Sequence, residues 1–324
     1  MRIKELLAII ACVFGFGLLA SEATPQTSQP DREVMVPGIP GVIAAGTRIE
    51  KVWTTETRSA DGLLGHPNGS LLVPQQAISR IEQIEPNGAI STYLEETNGA
   101  GGIAIDAAGR VIAVERNTPR LEILAPERRI LVDRYEGVPL EGASDIVVDR
   151  MGGVYFTEGR QTPPSSAVYY VSPNGQEVTR IISDIERANG ITLSPDESVL
   201  YIADSPGEYL LAYEVQEDGT VRNRRNFARL VGGSGTGADG LAIDQEGRLY
   251  VATPIGIQVF NPQGQHLGTI PTPRSVTTMA FAGPDKQTLF FVGRGNDSPE
   301  GAGQFARSLY RIRMLASGFK GRAK

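Results

Sequence analysis

Six positions along the chain carry small or polar residues at similar intervals. They are Asp61, Gly101, Ser144, Asn189, Asp239 and Thr277, separated by 40, 43, 45, 50 and 38 residues. If a repeat fold sets them on one ring, two carboxylates, an amide oxygen and a hydroxyl converge. Two ionised carboxylates at close range repel, and one of them has its pKa pushed up. A divalent cation removes that penalty, so Asp61, Asn189, Asp239 and Ser144 are the candidate ligands of one metal ion. Oxygen-only donors favour Ca²⁺, with Mn²⁺, Mg²⁺ or Zn²⁺ as alternatives. Taken singly, each side chain reads equally well as a turn cap, because Asp and Asn close turns through their own oxygens. Their shared place in the repeat is what argues for a metal.

Other chemistries find little to work with. The histidines are His66 and His266, both at expected turns away from the ring, and no Ser-His-Asp arrangement emerges. The one cysteine, Cys12, lies in the N-terminal apolar segment; a chain cut after Ala23 has no thiol, and hence no disulfide or zinc–thiolate site. The net charge is −6, and removing residues 1–23 leaves it at −6. No run of Lys or Arg is long enough for a nucleic-acid or anionic-membrane surface. The most basic stretch, Arg222 to Arg229, reads as a solvated strand edge. Gly232–Gly237 leads into a strand and not a helix, so it lacks the setting of a nucleotide-binding loop.

The elements that must assemble the ring are hairpins. Each ring position opens a motif of two apolar strands around a turn containing Asp, Pro or Gly, as in AGGIAIDAAGRVIAV from Ala100, ANGITLSPDESVLYIAD from Ala188 and ADGLAIDQEGRLYVA from Ala238. Second hairpins follow, with turns at Pro86-Asn87-Gly88, Pro173-Asn174-Gly175, Asp218-Gly219 and Pro262-Gln263-Gly264. A period of roughly 40–50 residues with this content is that of a propeller blade. The expected fold is therefore all-β: a six-bladed β-propeller of four-stranded blades over residues 47–318. Arg48–Thr54 supplies the strand missing from the last blade and pairs with Leu309–Leu315, which closes the ring.

The ends read differently. Arg2 and Lys4, the apolar run Leu6–Ala20 and Ser21-Glu22-Ala23 have the form of a signal peptide over residues 1–23. The run is shorter than the roughly 20 residues of a membrane span. The expectation is export to the periplasm or medium, with no stable membrane anchor after cleavage. Residues 24–46, rich in Pro, Thr, Ser and Gly, are expected as a flexible leader and residues 319–324 as a C-terminal tail.

Residues 50–318 resemble the gluconolactonase family, which includes regucalcin and related phosphotriesterase propellers. The blocks that carry the resemblance are ANGITLSPDESVLYIADS from Ala188, GADGLAIDQEGRLYVAT from Gly237, SDIVVDRMGGVYFTE from Ser144, and FAGPDKQTLFFVGRG followed by LYRIRMLASG. The resemblance implies one divalent metal held by Asn189, Asp239 and a first-blade acid. It implies hydrolysis of a lactone or other ester, with the metal polarising the carbonyl and Asp239 also acting as general base. Ser144 would contact metal or substrate. The chain departs from the family pattern at three places. Asp61 stands where the family has Glu, Ser144 where it has Asn, and Gly101 where close relatives have Asn. These departures keep two alternatives open: a metal-binding propeller without catalysis, and an esterase or phosphotriesterase on the same scaffold.

Overall fold

The computed structural model describes residues 31–55, 60–159, 166–233, 235–294 and 307–323. Residues 1–30, where the signal peptide is expected, and residues 295–306 lie outside the described residues. Six antiparallel four-stranded sheets form six blades. Their inner strands are Leu64–Gly65, Ala100–Ile105, Ala143–Val148, Ala188–Leu193, Leu241–Ile243 and Val276–Ala282 for blades 1 to 6. Each blade touches the next through its inner strand, and that of blade 6 meets that of blade 1, so the ring is closed.

Closure is by a strand from the N-terminal side. Ile49–Thr54 pairs antiparallel with Arg307–Arg313 as the outermost strand of blade 6, with Ile49 opposite Ile312 and Thr54 opposite Ser308. The partner strand starts earlier than expected and ends at Arg313, leaving Leu315 56% exposed beyond it.

The first turn of a blade recurs for a physical reason. Asp106 Oδ1 accepts the backbone N–H groups of Ala108 and Arg110 at 3.0 and 2.9 Å. Asp149 does the same for Met151 and Gly153, and Asp244 for Glu246 and Arg248. One carboxylate oxygen thus satisfies two donors and sets the turn that pairs the first two strands. The outer hairpin of blade 2, Arg120–Ala125 with Arg129–Val132, completes that blade through an Ala-Pro-Glu-Arg turn without the glycine found in the other outer hairpin turns. A small extra hairpin, Arg134–Tyr135 with Val138–Pro139, links blades 2 and 3. The core lies mainly between blades: Ala104, Ile112 and Val114 of blade 2 pack with Ile146, Phe156 and Tyr169 of blade 3.

Both ends join the body. Within the expected leader, Val36, Ile39, Val42 and Ile43 are buried against blades 5 and 6, because their apolar side chains find Tyr250, Val259 and Ile312. The C-terminal segment crosses one face of the ring, with Gly318 bridged to Asp244 and Ala323 to Ile105. Arg322, 6% exposed at its side chain, donates to the carbonyls of Leu193 and Ser194. Lys286 Nζ donates to the carbonyls of Phe319 and Arg322 at 3.2 and 3.4 Å. Burial and the charges of Arg322 and Lys320 hold that amine down at about 8.

Removing the closing strand should therefore weaken the whole ring. A chain beginning at Thr55 is expected to melt about 10 °C or more below one beginning at Asp31, still in a single transition, as follows from a loss of several kcal/mol in a chain of this size. Scanning calorimetry that resolved a separate early melting of blade 6 would contradict this.

Candidate functional site

The ring positions converge as their spacing requires. Asp61, Ser144, Asn189, Asp239 and Thr277 line one polar cavity of about 370 Å³ at the centre of the propeller. What holds them there is the close approach of adjacent inner strands. A Cβ added at Gly190 would lie 2.2 Å from the Asp239 carbonyl oxygen, and one at Gly62 would lie 2.4 Å from the Gly101 carbonyl oxygen. The residue after each of these polar positions must be glycine for the neighbouring main chain to pass. Blade 3 solves the same problem differently, with Asp145 in glycine's place. Its buried carboxylate accepts the N–H groups of Ile146 at 2.9 Å and of Ile191, across in blade 4, at 3.3 Å. Thr157 Oγ1 adds a bond to the Asn189 carbonyl oxygen at 2.7 Å.

The Asn189 amide is oriented by a chain of donors. Ser144 Oγ donates to Asn189 Oδ1 at 3.1 Å, Asn189 Nδ2 donates to Ser205 Oγ at 3.0 Å, and Ser205 Oγ donates to the Ala238 carbonyl at 2.9 Å. With the amide nitrogen committed to Ser205, the amide oxygen faces Ser144 and keeps a lone pair for a further partner.

Sequence reasoning missed the arginines of the site: among the described residues Arg116, Arg187, Arg294 and Arg307 line the cavity, and Arg116 and Arg294 contact its carboxylates. Arg116 Nη2 donates to Asp61 Oδ2 at 3.0 Å and to the Ser144 carbonyl at 3.2 Å, while Arg116 Nε donates to the Ala143 carbonyl at 3.2 Å. Its guanidinium occupies the room left by Gly101, where a Cβ would sit 2.8 Å from Arg116 Nε. The absent side chain at Gly101 was the one trace of Arg116 in the sequence. Arg294 Nη2 lies 3.4 Å from Asp239 Oδ2, with its own side chain 57% exposed. The histidines are elsewhere. His66 turns its ring edge to Tyr93, and His266 opens the outer strand of blade 5 rather than sitting in a turn.

The Asp239 carboxyl is pushed up to about 7. Burial is the largest cause and the charge of Asp61 the second; Arg294, Arg116 and a hydrogen bond from Asn189 oppose them. Two guanidinium groups therefore do not fully compensate the carboxylate pair. Among the described residues no three His, Cys, Asp or Glu side chains converge on one point. The cavity offers two carboxylates, the Asn189 amide oxygen and the Ser144 hydroxyl, a set of hard oxygen donors that fits a divalent cation. Asp61 is the weak member, because Oδ1 already accepts Gly62 N–H at 3.0 Å and Oδ2 is held by Arg116.

Two expectations follow. Gly190→Ala should displace the blade 5 main chain at Asp239 and lower the melting temperature, since the added methyl meets backbone rather than a movable side chain. In chelator, Asp239→Asn should stabilise the protein. A raised folded-state pKa gives a contribution that is complete below the ordinary Asp value and is lost as pH rises toward 7. The variant's advantage in melting temperature should thus be greatest at pH 8 and shrink toward pH 5, as measured by thermal unfolding across pH.

The family described as SMP-30/Gluconolactonase/LRE-like region matches residues 55–293. A gluconolactonase of Zymomonas mobilis is 25% identical over 300 residues, covering 80% of this chain and 83% of that protein. Lactonase drp35 of Staphylococcus haemolyticus is 36% identical over 187 residues, 54% of this chain and 56% of that one. Among solved structures, a gluconolactonase of Xanthomonas campestris superposes with a TM-score of 0.73 at 25% identity, over 89% of this chain and 96% of the other. The calcium-binding protein regucalcin of Agrobacterium tumefaciens shares the fold, with a TM-score of 0.68 at 17% identity over 84% of this chain and 95% of that one. With a match across most of the propeller and the same architecture in solved members, this chain belongs to the SMP-30/gluconolactonase family.

Proposed function

We propose that this protein is an exported, divalent-metal-dependent hydrolase of a lactone, acting in the central cavity. The observation that carries the reading is the set of hard oxygen donors that line one cavity, Asp239, Asn189, Ser144 and Asp61, with the Asp239 carboxyl raised by burial and the like charge of Asp61, a penalty that a bound cation would relieve. The relatives named gluconolactonase and lactonase give the substrate class, and the cavity's size lies in the range of small-ligand pockets, roughly 300–1,000 Å³.

Asp239 takes a proton from a water that attacks the ester carbonyl carbon. The acyl–oxygen bond of the ring then breaks, and the same proton returns to the departing ring oxygen, so that lactone and water become one hydroxy acid. Asn189 is fixed by Ser144 and Ser205 with its oxygen presented to the cavity. Ser144 lies beside it, close enough to contact the cation through water or the substrate directly. A divalent cation held by Asp61, Asn189 and Asp239, Ca²⁺ foremost, would supply a Lewis acid for the carbonyl oxygen and the charge that the carboxylate pair lacks. Arg116 competes for Asp61. That competition is what favours the second reading, a metal-binding propeller without catalysis.

The purified protein, assayed with Ca²⁺, Mn²⁺, Mg²⁺ or Zn²⁺ against aldonolactones, simple lactones and a phosphotriester, separates these readings. Lactone hydrolysis that chelator abolishes is the expected result. Tight metal binding with no turnover would replace the enzyme by the binding propeller. Asp239→Asn should lower kcat by about 10²–10⁴-fold. Asn189→Ala should weaken metal binding strongly in calorimetry. Arg116→Gln, by releasing Asp61, should tighten it. N-terminal sequencing of native material should begin near Thr24, and recovery of Met1 would contradict export by cleavage.

A further inference from the structure

We propose that the lactone taken by this cavity carries a second, anionic group apart from its ester, and that Arg187 and Arg294 bind it. The inference rests on the lactone-hydrolase reading and specifies the substrate within it.

Among the described residues, the guanidinium groups of Arg116, Arg187, Arg294 and Arg307 and the carboxylates of Asp61, Glu141 and Asp239 line the cavity. Their engagements differ. Arg116 is committed to Asp61 and to two carbonyls of blade 3. Arg294 has only the long 3.4 Å contact with Asp239 and is more than half exposed. Arg187 stands just before the inner strand of blade 4, and its main chain is pinned. Its N–H donates to Asp204 Oδ1 at 2.9 Å and its carbonyl accepts from Ser205 N–H at 3.0 Å. Its guanidinium has no hydrogen-bond or ion-pair partner among the described residues, although it lines the cavity.

Hydrolysis of a neutral lactone develops negative charge at one carbonyl oxygen and, in the product, at one carboxylate. It gives no use to the Arg187 guanidinium, which pairs with neither Asp61 nor Asp239 although it lines the same cavity. A substrate with a carboxylate or phosphate elsewhere on its skeleton does, because the planar fork of arginine binds either group through two parallel N–H···O bonds. Arg187 stands two residues before Asn189 and Arg294 touches Asp239, so both guanidinium groups line the cavity near the residues that would face the ester.

The test compares glucono-1,5-lactone, which is neutral, with the lactone of glucaric acid, which carries a carboxylate, and 6-phosphoglucono-1,5-lactone, which carries a phosphate. The expected result is a kcat/KM for one anionic lactone at least about tenfold above the neutral one, the size of one charge-assisted hydrogen bond. The better of the two anionic substrates identifies the group. Arg187→Gln and Arg294→Gln should each narrow that ratio, and 0.5 M NaCl should narrow it in the parent. Equal or better use of the neutral lactone, or a ratio that neither variant changes, would overturn the proposal. If no lactone is hydrolysed, the enzymatic reading falls and binding decides the inference. Glucarate should bind the parent more tightly than gluconate in calorimetry, and equal affinities would sink it.

Discussion

Where Gly190 passes blade 5, a single added carbon would stand 2.2 Å from the Asp239 carbonyl oxygen. The same crowding recurs at Gly62 against blade 2 and at Gly240 against blade 6. Closing six twisted sheets into a ring forces their inner strands together around the channel, and this steric limit organises the site. Because the following residue must be small, the preceding side chain is the one free to project into the channel. Polar channel-lining residues and glycines are thus paired by geometry rather than by chemistry. Blade 3 shows the exception that fits the rule, since Asp145 can replace the glycine only by becoming a buried acceptor for two backbone N–H groups.

Charge is the second organising influence. The channel holds two carboxylates close enough to disturb each other, and the protein answers with Arg116 on Asp61 and a looser Arg294 on Asp239. The answer is uneven. Asp61 is bound on both oxygens, whereas Asp239 remains pushed up to about 7. One acid is thereby held in place and the other is left with its charge less fully compensated, a difference that the environment sets for two residues of the same type. Gly101 belongs to this arrangement, because any side chain there would meet the Arg116 guanidinium.

The two faces of the ring differ for the same kind of reason. The site face carries polar side chains and arginines. The opposite face is crossed by the C-terminal segment, whose Arg322 satisfies strand-end carbonyls and whose own carbonyls engage Lys286. Backbone groups at the ends of inner strands have no neighbour in the sheet, and this crossing supplies one.

Much of this was legible in the order of residues. The blade period, the Asp-containing turns and the alternation of apolar side chains are local and repeated, so the six-bladed ring and its closing strand could be read from them. The polar positions Asp61, Ser144, Asn189 and Asp239 could be read as well, since equal places in equal blades must meet at the centre. Sequence alone did not reveal the docking of Val36 to Ile43, whose partners lie some two hundred residues away. Nor did it reveal Arg116. That residue is 55 positions from Asp61 in the chain, just past the end of the second strand of blade 2, and becomes part of the site only because Gly101 leaves a gap between two blades. Repetition makes a fold readable because each copy restates the same local rule. A single long side chain reaching across the channel obeys no such rule, and only the packed ring decides where its charge comes to rest.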